Sequence, residues 1–434
     1  MKRIFVRRSK SVAIAAFAAL SLSVGQSEAR SITYQQILAA PDDVELNFAY
    51  ARQEARTGRL QQSAAALERI LLAQPNNDSA RLFYGVVLYR LNDLKGAVRE
   101  LTLLLDRDLT PRQERDRDRY LDLAQKQDKL WRFSARYTLG GRFDTNPGRF
   151  SESALAVGLA EEESDGAAVG ISRFRVERSL ENGRGDFAFL ETNTRINEFI
   201  DTDTADYITS RSKLGATFHG ARLSVSPFGY YSTSFLQHER FRNRYGGGVD
   251  TVLSLNSQVD LLLYGFAAYE DYRRTDFSTI GDLRDGWYGT VRAGVKWKAT
   301  DRQIFRLYGR IAEKDARDDG YDYTSYGIRA SSVSLLGEGR YVTLTAAYTR
   351  NDFDEPDNRL SRTVAREDNR LYLRASAGAP LETLFKSSDI DVPEFLADVV
   401  AQVGVTYSTQ NSSIPLLEYS NFSVDLLFTK RVTF

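Results

Sequence analysis

The stretch Trp287-Tyr288-Gly289-Thr290-Val291-Arg292-Ala293-Gly294-Val295-Lys296-Trp297-Lys298 alternates with a period of two. In an extended chain Trp287, Val291, Ala293, Val295 and Trp297 share one face, and Tyr288, Thr290, Arg292, Lys296 and Lys298 share the other. The apolar face carries Trp at both ends. Ten residues of tilted strand rise roughly 25 Å, the height of an outer-membrane apolar band between its aromatic girdles. A soluble sandwich has no reason to place Trp at both margins of an outward face.

Neighbouring segments repeat the pattern. Phe305, Leu307 and Ile311 alternate with Arg306, Tyr308 and Arg310, and Val342, Leu344, Ala346 and Tyr348 alternate with Thr343 and Thr345. Leu371, Leu373 and Ala375 alternate with Arg370, Tyr372 and Arg374, and a last segment alternates Phe422, Val424, Leu426, Phe428, Lys430, Val432 and Phe434. Together they predict a transmembrane antiparallel β-barrel over residues 131–434. It should have about fourteen strands, starting near residues 131, 167, 186, 205, 222, 242, 258, 285, 303, 321, 340, 367, 398 and 418. An even count returns both ends to the periplasm. Connections at 182–185, 219–221, 255–257, 299–302 and 336–339 then fall on that side, and 143–165, 272–284 and 352–366 fall outside. The long connection 378–397, with Pro393, Phe395 and Leu396, is the exception. It plugs the lumen, touches the N-terminal domain, or marks an error in the count. Alternation is poor between 186 and 254.

Upstream the period changes. Residues 43–129 read as helical, with Asp43 as the cap. Shifted by 34 residues, Tyr50 falls on Tyr84, Ala51 on Gly85, Gly58 on Asn92, Leu60 on Leu94, Leu67 on Leu101 and Ile70 on Leu104. Small residues at the helix contact, a turn residue between helices and Pro75 after the first unit resemble the tetratricopeptide repeat. Residues 30–130 are therefore expected to form a periplasmic α-helical repeat domain of about two units, capped by a polar helix from Pro111 to Lys129. In that geometry Phe48, Arg52, Arg56, Leu82, Val86, Tyr89 and Arg90 face a concave side. They form a groove for a peptide or an acidic segment, or an ordinary surface stacked on the barrel. The run Arg112 to Arg119 reads as a solvated helix face.

Residues 1–29 read as a signal peptide. Lys2, Arg3, Arg7 and Arg8 precede an apolar core from Val12 to Val24, and small residues end at Ala29. The chain contains no Cys, which removes disulfides, thiol catalysis and thiolate metal sites. Lys+Arg and Asp+Glu each total 58, so overall charge gives no argument for a nucleic-acid partner. His219 and His238 share no motif with a Ser nucleophile or with each other. The acidic loop Asp315, Asp318, Asp319 and Asp322 lacks calcium-loop spacing, because Arg317 takes a ligand position. No catalytic residue, metal site or cofactor is expected. On the inner barrel face Arg173, Arg175, Glu177, Arg306, Arg310, Arg370 and Arg374 form either a wall of ion pairs or a field that selects anionic solutes or grips an acidic chain.

The order of signal, repeats and barrel resembles the surface lipoprotein assembly modulator family, called Slam. The opening strand Trp131-Arg132-Phe133-Ser134-Ala135-Arg136-Tyr137, followed by a Gly pair and Phe143-Asp144-Thr145-Asn146-Pro147, carries the resemblance. So does the closing Phe428-Thr429-Lys430-Arg431-Val432-Thr433-Phe434. Membership implies a translocon in a Gram-negative outer membrane that moves lipoproteins, or secreted relatives, to the cell surface. The repeats would meet the substrate or a periplasmic chaperone, and Phe434 would be read by the barrel assembly machinery. Two other classes compete: a repeat-containing exopolysaccharide-export porin, which also joins such repeats to a barrel, and a plain diffusion porin, which needs no repeats.

Overall fold

The computed structural model describes residues 32–127, 129–153, 164–182, 184–275, 278–386 and 392–433. The expected signal peptide, Phe434 and part of the 378–397 connection lie outside them.

Six helices come first: α1 (Tyr34–Ala39), α2 (Val44–Arg56), α3 (Leu60–Ala73), α4 (Asp78–Leu91), α5 (Leu94–Thr102) and α6 (Pro111–Gln127). Helix α1 has no counterpart in the sequence reading. Asp43 caps α2 by accepting the Leu46 N–H at 2.9 Å, and Asn77 and Asp93 cap α4 and α5 in the same way. The pairs α2–α3 and α4–α5 repeat the sequence offset of 34 in space. Tyr50 and Tyr84 are both buried, as are Leu67 and Leu101, and Ile70 and Leu104. The turns between the helices pass through the left-handed region at Gly58 (φ 79°) and Asn92 (φ 65°). A Cβ on Gly85 would stand 2.6 Å from Leu101, so a small residue there lets α4 and α5 close on each other. Each fully buried Leu or Ile contributes roughly 1.5–3 kcal/mol of hydrophobic stabilisation. None of the described helices is long and apolar enough to cross a membrane.

Fourteen antiparallel strands follow and close on themselves, β1 pairing with β14. They are β1 (Trp131–Asp144), β2 (Asp165–Ser179), β3 (Phe187–Phe199), β4 (Tyr207–His219), β5 (Leu223–Leu236), β6 (Glu239–Ser254) and β7 (Val259–Tyr272), then β8 (Gly286–Thr300), β9 (Gln303–Ala316), β10 (Tyr323–Gly337), β11 (Arg340–Phe353), β12 (Glu367–Pro380), β13 (Val400–Ser412) and β14 (Tyr419–Thr433). The expected starts fall within three residues of these, including the poorly alternating 186–254. The closing seam is ordinary: β1 and β14 share eleven residue pairs, as do β3 and β4. Closure pairs the backbone groups of both terminal strands, which an apolar surround requires.

The outward face is apolar. Leu139, Phe174, Leu214, Leu263, Val291, Ile311, Ile328, Leu344 and Leu426 are all exposed. Tyr231, Tyr245, Tyr269 and Trp287 are cross-strand partners in one row near the loop end, with rings 5.6–5.7 Å apart from Tyr245 to Trp287. At the opposite end Trp131 stacks on Phe133, and Trp297 on Phe305. An apolar band between two aromatic girdles is the architecture of an outer-membrane barrel.

Both chain ends of the barrel emerge at the end that carries the short turns. There Arg222, in the β4–β5 turn, donates to the Thr57 carbonyl at 2.9 Å. Gly185, in the β2–β3 connection at φ 73°, meets Asn92 so closely that a Cβ would overlap its amide. The two interhelical turns thus rest on two barrel turns. The 378–397 connection leaves the count of fourteen intact. It forms α7 (Leu381–Phe385) and α8 (Glu394–Ala397). Thr383 and Lys386 bind Glu338 of the β10–β11 turn, at 2.9 and 3.1 Å, and Lys430 on β14 donates to the Phe395 carbonyl at 2.8 Å.

Candidate functional site: the helical cleft and the inner wall of the barrel

Helices α2, α4 and α6 enclose a cleft of about 430 Å³ lined by Phe48, Arg52, Ser79, Leu82, Phe83, Val86, Arg112, Gln113, Asp116 and Tyr120. Phe48 and Phe83 pack 5.9 Å apart, and the Arg52 guanidinium lies 4.5 Å above the Phe48 ring. Of the seven residues expected to share a concave face, Phe48, Arg52, Leu82 and Val86 come together here. The other three do not line it. Arg56 is exposed on α2, Tyr89 packs edge-on against Tyr120, and Arg90 turns away to the Ala55 carbonyl at 3.3 Å.

The solvated reading of Arg112–Arg119 holds for the exposed Arg112, Glu114, Arg115, Asp118 and Arg119 but not for Arg117. Arg112 and Asp116 line the cleft, and Arg117 is buried, donating to the Leu104 carbonyl at 3.1 Å. The Leu104 carbonyl, just beyond α5 and also accepting the Arg107 N–H at 3.3 Å, has a second lone pair for the guanidinium. Away from the cleft, hydrogen bonding from Arg59 holds the buried Glu54 carboxyl below the usual carboxylate range.

The strand register sends the second set of residues inward. All six expected lumen arginines stand on that face, but they differ in partners. Arg173 and Arg175 meet Glu191 at 2.7 and 2.8 Å, Arg175 also meets Glu177, and Arg374 clamps Asp425 with two hydrogen bonds while reaching Thr406. Arg310 and Arg370 bind neutral oxygens instead, on Ser325 and Gln410, at 2.6 Å each. Arg306 has no ion pair among the described residues, and neither do Arg136, Arg211, Arg292, Lys298 and Arg431 on the same inner face. The wall is thus ion-paired in part and cationic in surplus.

Sequence inspection missed an aromatic strip on this wall. Phe189, Gly215, Phe228, Gly248 and Phe266 are cross-strand partners in one row across β3–β7, all pointing inward. Phe228 and Phe266 stack at 6.4 Å and 17°, with Tyr230 and Tyr264 beside them. A Cβ on Gly248 would lie 2.8 Å from the Phe228 ring, so the glycine makes room for it. Cations cover the rings: Lys213 is 3.9 Å from the Phe228 centroid, Arg292 3.9 Å from Tyr264 and Arg175 4.5 Å from Phe189. Nearer the loops the buried carboxylate of Glu270 gathers Arg244, Lys314 and Arg242. An inner surface with aromatic faces and surplus guanidinium groups can hold an extended chain by stacking and by charge.

The two histidines lie at opposite ends of the barrel. The His219 backbone N–H donates to Asp186 in the turn-side rim. His238, in the tight β5–β6 turn on the loop side, stands 3.2 Å from Glu198. Ligand atoms of Glu198, Asp206 and His238 lie within 4.8 Å of one another, the one such trio among the described residues that could hold a cation. The loop aspartates serve the backbone: Asp318 accepts from Gly320 and Asp322 from Ala316.

Residues 155–379, just over half of the chain, match the family described as surface lipoprotein assembly modifier. The chain belongs to that family. The matched stretch runs from the β1–β2 connection to the end of β12, so the family's signature lies in the barrel. No curated protein matches the chain significantly. Among solved structures, Acinetobacter baumannii OccAB4 is similar at 7% identity and a TM-score of 0.35, over 70% of this chain and 100% of that one. A loop L8 deletion mutant of OmpT, an outer membrane protein of Vibrio cholerae, is similar at 6% identity and 0.39, over 70% and 100%. Pseudomonas aeruginosa OccD3 is similar at 10% identity and 0.33, over 69% and 91%. The family and the fold are those of a non-enzymatic outer-membrane barrel, and they give the chain a general role in surface lipoprotein assembly.

Proposed function

We propose that this protein is an outer-membrane translocon that delivers lipoproteins, or related secreted proteins, to the cell surface by binding and passage without covalent chemistry. Residues 1–29 direct export. Residues 30–130, a tetratricopeptide-like domain in the periplasm, capture the substrate, alone or from a chaperone, in the cleft around Phe48, Arg52, Leu82 and Val86. The barrel, inserted by the assembly machinery, provides the path. The observation that carries this reading is the joining of the family barrel to a helical cleft seated on its turn-side rim, through Thr57 and Arg222. This seating supports a cleft held on the turn side of the barrel, where the proposed substrate would wait. The inner wall continues the same chemistry, with aromatic faces under cations.

The surplus of inner-wall cations favours one competing reading, an export porin for an anionic polysaccharide. The protease-shaved surface proteome of the native host, with and without the gene, separates them. Loss of particular lipoproteins from the surface, with the same proteins retained inside the envelope, is the expected result. Unchanged surface proteins with reduced surface glycan would overturn the translocon reading, and steady ion conduction with neither change would leave a diffusion porin.

A further inference from the structure

The lipid-facing wall of β8–β14 contains a concavity of about 820 Å³. Its floor is made of small outward residues: Ala330, Ser332, Ala346 and Ala375. Two adjacent cross-strand rows build it. One passes from Trp297 and Phe305 through Ser332, Leu344 and Ala375 to Val405. The other passes from Val295 and Leu307 through Ala330, Ala346 and Leu373 to Tyr407 and Phe422. The stacked rings of Trp297 and Phe305 line one end, and Tyr407 and Phe422 line the other.

The direction of the slot matters more than its size. From β8 to β14 its lining spans six strand spacings of about 4.8 Å, about 29 Å in all. Rows perpendicular to tilted strands climb the barrel. The first row starts at Trp297, three residues before the turn-side end of β8, and the second ends at Phe422, three residues after the loop-side start of β14. The slot therefore rises from the girdle beside the helical domain toward the girdle beside the loops. A barrel wall facing lipid is ordinarily filled by its own large side chains, and here Ala330, Ser332, Ala346 and Ala375 on β10–β12 leave space between Leu307, Leu344 and Leu373.

We propose that this slot is a track for the acyl chains of a lipidated substrate, along which the anchor moves from the inner to the outer leaflet while its polypeptide crosses by another route. The inference rests on the lipoprotein-delivery reading. The occupant follows from position and chemistry: the slot lies in the apolar band, where only alkyl chains or apolar protein surface can fill it, and the family's substrates bring alkyl chains with them. An anchor transferred between leaflets must keep its chains in an apolar setting throughout, because each CH₂ exposed to water costs about 0.8 kcal/mol. A slot joining the two girdles meets that requirement.

The test uses the full-length protein in phosphatidylethanolamine–phosphatidylglycerol vesicles with a synthetic diacylated cysteinyl peptide that carries a photoreactive diazirine in one acyl chain. Photo-adducts are expected to concentrate on the β8–β14 rows and to be displaced by unlabelled lipopeptide but not by matching phospholipid. They should fall at least tenfold in Ala346→Trp/Ala375→Trp. Ser332→Phe, which fills the same floor from a neighbouring strand, is the second variant should the first not fold, and heat-modifiable migration reports folding of both. Adducts spread evenly round β1–β7, equal displacement by phospholipid, or full labelling of a folded slot-filled variant would each overturn the proposal. Returning wild type and the filled variant to a host lacking the gene keeps the two readings apart. If both restore surface lipoproteins, the slot is overturned and delivery stands. If wild type restores none, delivery falls, and the labelling pattern alone decides whether the slot takes lipopeptide chains.

Discussion

Glu270 is the place where a single substitution should cost the barrel most. Its side chain is 3% exposed and its ion partner Lys314 4% exposed, with Lys314 Nζ 3.0 Å from Oε2. Arg244 hydrogen-bonds the other oxygen, Arg242 approaches to 3.6 Å, and the Tyr272 hydroxyl donates at 3.3 Å. Glu270→Ala leaves three cations facing one another without their counter-ion, one of them fully enclosed. Removing one partner of a buried pair typically costs about 3–5 kcal/mol, because the remaining charge has no water to return to. Lys314 makes no other ion pair among the described residues, so the upper half of that range is expected. Glu270→Ala/Lys314→Met should recover part of the loss, and the coupling between the two sites should reach about 1–3 kcal/mol. Reversible urea unfolding of the full chain in vesicles, followed by tryptophan fluorescence, measures both quantities. A Glu270→Ala barrel within 0.5 kcal/mol of wild type, or additive single and double variants, would refute the assignment of Glu270 as the counter-ion of Lys314, Arg244 and Arg242.

Gly248→Leu places a Cβ 2.4 Å from the Gly265 carbonyl and 2.8 Å from the Phe228 ring. It should destabilise the barrel by about 1–3 kcal/mol in the same unfolding assay, whereas Gly289→Ala, with nothing within 4 Å, should be nearly neutral. Leu67→Ala, at a fully buried position, should cost the helical domain about 2–5 kcal/mol, read as an earlier loss of the 222 nm signal on heating. Because Arg59 depresses the Glu54 pKa in the folded state, the stabilisation from that pair is complete above the ordinary Glu pKa of about 4.3. It is lost as pH falls through the depressed folded value, and Arg59→Ala should flatten the acid limb of the helical melting temperature against pH. If the barrel is reconstituted as a conducting form, the cationic surplus on its inner face predicts anion selectivity. The paired variant Arg306→Glu/Arg292→Glu should move the reversal potential in a salt gradient toward cations.

The two periods in the sequence were enough for the architecture. Alternation about Trp287–Trp297 places one face in lipid because a strand cannot turn half its side chains away from their neighbours. The 34-residue offset brings Tyr50 and Tyr84 to equivalent buried sites because each helical hairpin buries the same positions. Residues 186–254 blurred the alternation for a physical reason now visible: Phe189 and Phe228 point inward there, on the face that elsewhere is polar. What a period cannot supply is register. Strand pairing alone decides that Gly215 and Gly248 flank Phe228, that Lys314 reaches Glu270 across β8, that His238 meets Glu198, and that Trp297 shares a row with Val405 and Val295 with Phe422. These partners lie tens to more than a hundred residues apart, and no local pattern encodes which residue of one strand stands opposite which residue of the next. The sequence therefore determines the faces of this protein, and closure of the barrel decides what each face brings together.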